Sequence, residues 1–358
     1  MEMAAGAVLM NITDTNNTSV APLISFVIPQ KGRLDLLERT LRSIAAQELY
    51  SEGESESYAV QVVVVTQDEH PDEACNLVER LLGDVEGIDF HCMVAQSGEA
   101  TISTLRNLAA RTSKGDLLAF LDADISLSAN WVRSMTTLLS SDNMRVLVSA
   151  MQVVGSEPTV IEQIQVELNG MRVDREVNFL SGHNLLVSRE TFEKVGGFPQ
   201  HLMTCEDSVF TDRVGKLGTL FRSSSASYVH LGEDIHLKDV FRKEKWRSHS
   251  NLATLHGREV RAVELISFIA PMIVVFALAL SLVAVLSGHA VLAIWLILLG
   301  LVPVLAYSFR LWLGATGRLS LLSILGYYVT YFVARGIGMT LGIGNAIRVR
   351  GASGSSVS

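Results

Sequence analysis

The chain has 358 residues, enough for about two domains, and 49% of them are hydrophobic, which is high for a protein that never meets lipid. Its net charge of −8 is unevenly spread: from Arg258 onward there are seven Arg, two Glu and neither Asp nor Lys, so the part before Arg258 carries about −13. An acidic globular part repels nucleic-acid phosphates and argues against DNA or RNA as a partner.

Residues 1–21 lack the basic start and long apolar core of a secretory signal and read as a loose, disordered leader. The glycosylation triplets at Asn11, Asn16 and Asn17 read as chance matches within it. Residues 22–152 then alternate between two periodicities. β-rich runs at 23–29, 60–65, 90–94, 117–121 and 146–151 predict strands. Between them, Leu34, Leu37, Leu41 and Ile44 recur at helical spacing, as do Ala74, Leu77 and Leu81, and residues 101–110 and 132–139 read as helices. This alternation implies an α/β domain with a mostly parallel sheet wrapped by helices. Ligands of such sheets bind outside the carboxyl ends of the strands, where Pro29, Asp68, Asp122 and Asp124 would gather. Cys75, Cys92 and Cys205 form neither a disulfide framework nor a zinc pattern, and are expected as core thiols in a reducing compartment.

The strand at 117–121 runs into Asp122 and Asp124. In an extended chain, residues two apart project from one side of the strand. Paired carboxylates there repel each other unless a cation sits near, and hard oxygen ligands suit Mg²⁺ or Mn²⁺ bridging to a substrate phosphate. The plain alternative is a polar turn after a core strand.

These segments resemble family 2 glycosyltransferases of the GT-A fold. The resemblance is carried by Ser25-Phe-Val-Ile-Pro29, Val62-Val-Val-Val-Thr-Gln-Asp68, Leu105-Arg-Asn107 and Phe120-Leu-Asp-Ala-Asp124, then by Ser181-Gly-His-Asn184, Val195-Gly-Gly-Phe198 and Glu206-Asp207. In order, they cover roughly residues 22–235. The resemblance implies that Asp68 contacts a nucleotide base, although Gln67 stands where members carry a first acid and Gly32 where they carry Asn. It implies that Asp122 and Asp124 hold a divalent cation and the sugar-nucleotide diphosphate, with Pro29 and Arg106 near the donor. A cation stabilises the leaving phosphate as a Lewis acid. Inversion also needs a base to take the acceptor's proton. Glu206-Asp207 precedes a helical stretch at 209–217, and on residue pattern alone would be an N-terminal cap. The resemblance makes Asp207 the catalytic base and Glu206 an acceptor contact. It also makes His230 a candidate to complete the metal shell, with His183 and His236 as weaker alternatives.

Residues 236–262 read as a charged amphipathic linker. Arg242-Lys-Glu-Lys-Trp246 departs from the Gln-x-x-Arg-Trp signature of polymerising members at two positions and keeps Trp246. Trp246 is therefore an acceptor contact if the signature is functional. Otherwise it anchors a basic helix on an anionic membrane face, the reading favoured here.

Residues 265–286 and 291–309 are uncharged and long enough to cross about 30 Å of hydrocarbon as a helical hairpin. A third segment, 320–343, is interrupted by Arg335 and rich in glycine (Gly336, Gly338, Gly342), so it spans or lies in the interface. Arg258 and Arg261 precede the first span, and Arg310 and Arg318 follow the second. The positive-inside rule places the catalytic domain on the cytoplasmic side of the cell (inner or plasma) membrane. Arg348 and Arg350 fall outside if the third segment spans, against that rule. Residues 346–358 read as a disordered tail.

The expectation is a membrane-anchored, metal-dependent, inverting glycosyltransferase of hexosyltransferase type. It would move sugar from a nucleotide-sugar donor to a lipid-linked or cell-surface polysaccharide acceptor, in contact with membrane lipids. The rivals are transfer to a polyprenyl phosphate, a processive polysaccharide synthase and a catalytically dead sugar-binding membrane scaffold.

Overall fold

β1 (Leu23–Gln30), β2 (Ala59–Thr66) and β4 (Leu117–Leu121) are almost unbroken runs of buried residues, as strands covered on both faces must be. In this computed structural model, which describes residues 23–49, 58–95, 100–170, 173–249, 262–315 and 319–354, β1 pairs in parallel with both β2 and β4. β2 continues the parallel array to β3 (Ile88–Val94). The connections are α1 (Leu34–Ala45), α2 (Pro71–Leu82) and α3 (Ile102–Thr112). Beyond β4 the chain forms β5 (Ile125–Leu127), α4 (Trp131–Ser140), β6 (Arg145–Val153), α5 (Val160–Gly170), β7 (Arg175–Val177) and β8 (Asn184–Ser188). It closes the domain with α6 (Arg189–Lys194), α7 (Glu206–Gly215) and β9 (Thr219–His230). The sheet runs β3-β2-β1-β4-β8-β6-β9-β5, with β7 paired to β9.

The predicted parallel half is present with strand ends shifted by one or two residues. The other half is mixed: β8 runs antiparallel to β4 and β6, and β5 runs antiparallel to β9. Side chains alternate between two cores. Phe26, Val62, Ala119 and Leu121 face the layer that includes Trp131 of α4. Val27, Val63, Leu118 and Phe120 face the layer with Leu105 of α3 and Phe210 of α7.

Two expectations change. Cys75 and Cys92 are not separate core thiols: α2 lies on β3, their Cα atoms are 5.3 Å apart, and the two form a disulfide. Cys205 stays outside that bond and is half-buried. The chain after residue 346 is not a loose tail throughout, since helix continues to Gly354. The expected leader, Arg258, Arg261, Arg318 and residues 250–261 of the expected linker lie outside the described residues.

The rest is helical: α8 (Leu237–Ser248), α9 (Ala262–Leu286), α10 (Ala290–Gly314) and α11 (Leu321–Gly354). Three stretches, Leu265–Leu286, Ala290–Gly314 and Leu321–Ile343, are long and apolar enough to cross a membrane. A third core joins them to the sheet domain, where Ile164 of α5 and Val240 of α8 pack with Val304, Tyr327, Tyr328 and Phe332.

Candidate active site

The carboxyl ends of β1, β2 and β4 open onto a cleft of about 330 Å³, lined by Pro29, Gln30, Arg33, Gln67, Asp122 and Asp124 among others. Asp68 lies at its rim. One carboxylate oxygen accepts from Gln30 Nε2 and from the Gly32 amide, both at 3.1 Å. The Gln30 bond holds the Asp68 carboxyl below its ordinary range against a small burial penalty.

Asp122 and Asp124 do not sit on the strand. β4 ends at Leu121, and the two acids occupy the turn before β5. The Asp122 amide still donates to the His183 carbonyl at 3.3 Å, and the chain then bends so that β5 can pair with β9. The two carboxylates therefore take different partners while lining one cleft. Asp122 accepts from Arg106 at 2.7 Å, and Asp124 lies 3.3 Å from His230 Nε2. Gly232 lies so close to Asp124 that a Cβ there would collide with its carboxylate.

Arg106 is buried on α3 and its guanidinium is shared. One nitrogen binds Asp122 and the other donates to Glu206 Oε1 at 2.9 Å, while the Phe198 ring lies 5.1 Å away. Burial opposes the charge on Arg106, but Asp122 and Glu206 together hold its pKa above the ordinary value. Arg106 thus joins the acids after β4 to the acids of α7. The sequence placed it near the donor, and here it braces both acidic pairs.

Glu206 and Asp207 form the first turn of α7 instead of preceding it. The cap position is Cys205, in left-handed conformation (φ 64°) and without a side-chain capping bond. Asp207 accepts from the Ser208 amide at 2.8 Å. Burial, and then the neighbouring Glu206 charge, push its pKa up to about 6.

His230 ends β9. Its Nδ1 meets Glu233 and its Nε2 faces Asp124, so both ring nitrogens are engaged by carboxylates. Burial disfavours its charge, but these two bonds raise its pKa to about 10. With a carboxylate on each ring nitrogen, this imidazole ligates a metal only by losing a proton and exchanging one carboxylate for the ion. His183 stacks on it at 5.2 Å and hydrogen-bonds Tyr228 at 2.7 Å. Burial and the His230 charge lower the His183 pKa to about 4. His236 is the residue that starts α8. Glu233 was missed in the sequence. Its signal was the spacing His230-x-x-Glu233, and the His230 bond helps to hold its pKa near 2 despite burial.

Among the described residues no three His, Cys, Asp or Glu side chains form a ready metal cage. The donor set still suits a hard cation, because Mg²⁺-type ions commonly take one or two protein carboxylates and complete their shell with phosphate and water. Asp122 and Asp124 are 27% and 24% exposed, so both can reach a ligand in the cleft. A second cleft of about 440 Å³ adjoins the first through Arg33 and is lined by Gly232, Asp234, Arg242 and Trp246 among others. Trp246 is 56% exposed there.

The fold and this cleft define a glycosyltransferase of GT-A type. The family model of glycosyl transferase family 21 matches residues 3–323, and the chain belongs to that family. The sequence motifs had suggested the number 2 for the same fold and class. Glycosyltransferase AglE of Haloferax volcanii is 22% identical over 204 residues, 56% of this chain and 64% of its own length. Uncharacterized protein y4gI of Sinorhizobium fredii is 28% identical over 119 residues, 33% of this chain and 12% of its own. The chain thus spans less than two thirds of either curated relative. The mannosyltransferase PcManGT from Pyrobaculum calidifontis, solved with GDP-Man and Mn²⁺, is similar with a TM-score of 0.57 and 14% identity, covering 90% of this chain and 88% of that one. TarS of S. aureus is similar at a TM-score of 0.47 and 14% identity, covering 69% of this chain and 43% of that one.

Proposed function

We propose that the chain is a metal-dependent, inverting glycosyltransferase that moves a sugar from a nucleotide-sugar donor to a lipid-linked or cell-surface polysaccharide acceptor at the cytoplasmic membrane face. The observation that carries this reading is the Arg106 bridge. It fixes the acids at the donor cleft and the acids of α7 in one constellation.

The nucleotide lies in the cleft between Pro29 and Asp122, with Asp68 toward the base. Asp122 and Asp124 would hold Mg²⁺ or Mn²⁺ at the donor diphosphate. When bound, that cation supplies Lewis-acid stabilisation of the leaving diphosphate, worth on the order of several kcal/mol. Asp207 takes the proton of the acceptor hydroxyl, and its raised pKa suits a base working near neutrality. Glu206, tied to Arg106, keeps the first turn of α7 in register with the donor acids. His230 orients Asp124. Trp246, exposed at the adjoining cleft, anchors α8 at the lipid interface beside the acceptor. PcManGT, solved with GDP-Man and Mn²⁺, supports a donor and ion of this kind.

The test is a donor screen with purified protein in lipid, reading nucleotide release with Mn²⁺ or Mg²⁺ and with EDTA. One nucleotide sugar should be turned over only with metal. No release from any donor refutes catalysis, and release unaffected by EDTA refutes the metal role.

A further inference from the structure

α11 is apolar enough to span, but one side of it packs along α8, a helix rich in charge. The hairpin of α9 and α10 has a clear register: a Cβ on Gly300 would lie 3.1 Å from Ala277. α11 packs on the open end of that hairpin: Tyr307 seats between Tyr328 (5.7 Å) and Phe332 (5.2 Å), Gly336 lies against the Pro271 carbonyl and Val275, and Thr340 reaches Met272 at 4.0 Å. The distal half of the hairpin has no such cover: Leu282, Leu286, Val291, Trp295 and Leu298 are all exposed.

The other side of α11 meets α8. Glu244 pairs with Arg335 at 3.4 Å. The Lys245 carbonyl lies on Gly338 and the His249 carbonyl on Gly342, so the two helices run parallel, turn by turn. No residue of α11 from Thr330 to Met339 is exposed, because the stretch is enclosed between α8 and the hairpin. α8 meanwhile exposes Lys238, Arg242, Lys245 and Trp246. Lysine and arginine are strongly disfavoured at hydrocarbon depth, while tryptophan collects at the interface. A helix matched to α8 along these turns shares its depth.

We infer that α8 and α11 form an in-plane platform resting on the lipid headgroups, so that α11 does not cross the bilayer. The chain then crosses twice, and the end of α11 remains on the side of the catalytic domain. This removes the conflict over Arg348 and Arg350, which now share a side with Arg310.

The test reads sidedness and does not depend on activity, so it stands or falls apart from the proposed reaction. Single cysteines at Ala315→Cys and Ser358→Cys, each in the full chain carrying Cys205→Ser, are labelled with a membrane-impermeant maleimide from either face of sealed vesicles. Both should label from one and the same face. Labelling of Ser358→Cys only from the face opposite Ala315→Cys overturns the platform. If Ser358→Cys labels from neither face, a biotin-acceptor peptide appended after Ser358 gives the side, with the same two outcomes.

Discussion

At the residue scale the site depends on a carboxylate kept in an unfavourable place. The Asp207 pKa is about 6 in the folded chain against 3.8 ordinarily, mainly through burial. A raised acid pKa contributes its full stability below the unfolded value, and that contribution is lost as pH rises through the folded one. At neutral pH the ionised Asp207 therefore costs stability. Asp207→Asn should raise the melting temperature at pH 7.5, and the gain should vanish below about pH 4, as differential scanning across pH would show. A lower melting temperature at pH 7.5 would instead assign Asp207 to the support of α7. The same change should reduce kcat by roughly 10²- to 10⁴-fold if the acceptor is a hydroxyl, with donor KM nearly kept. A near wild-type rate would point to an acceptor already ionised, such as a polyprenyl phosphate. The wild-type kcat/KM should fall as pH drops through about 6. Arg106 lowers the Asp207 pKa, so Arg106→Gln should move that limb to higher pH as well as destabilise the fold. A lost buried ion-pair partner typically costs about 3–5 kcal/mol. An unmoved limb would deny the bridge any bearing on the base. The acids themselves were legible in the sequence, since carboxylates after a strand and before a helix stand out in composition. Their partners were not: Arg106 binds residues 16 and 100 positions away, and no local pattern encodes that distance.

At the element scale, the parallel half of the sheet was readable because doubly buried strands leave continuous apolar runs. β8 and β9 were not, because whether a strand runs parallel or antiparallel depends on the neighbour that it meets. α5 and β7 escaped for a related reason. β7 has three residues, and Ile164 is the one fully buried residue of α5, so its packing is set by β6, α8 and α11 and not by its own periodicity. The Cys75–Cys92 disulfide was hidden because 17 residues separate the partners and only the packing of α2 on β3 brings them together. The structure divides the glycines of α11. A Cβ on Gly338 would collide with the Lys245 carbonyl and one on Gly342 with the carbonyl of His249, the cap of α8, while a Cβ on Gly326 meets nothing within 4 Å. Gly338→Ala should therefore destabilise by about 1–3 kcal/mol through overpacking. Gly326→Ala should stabilise by up to about 1 kcal/mol through helix propensity alone. Thermal unfolding of the two variants in detergent checks both signs, and a gain from Gly338→Ala would refute the tight contact with α8.

At the scale of the whole molecule, charge and hydropathy divide the work. In the proposed arrangement the acidic sheet domain stays in water, and the Arg-flanked hairpin holds its cleft near the bilayer. The hairpin needs its turn, Ser287-Gly288, on the far side, where Gly288 adopts φ 79° to reverse the chain between α9 and α10. Arg310, near the end of α10, then stays at the near surface. Drawing it to the bilayer centre would cost about 2.5–3.5 kcal/mol on insertion scales. The alternative, with α9 and α10 folded as ordinary buried helices, would leave Leu286 79% and Trp295 66% exposed to water. Ser287→Cys should accordingly label only from the face opposite Ala315→Cys in sealed vesicles. Labelling of both from one face would mean that α9 and α10 do not form a spanning hairpin, and the cleft would then need another means of staying at the membrane.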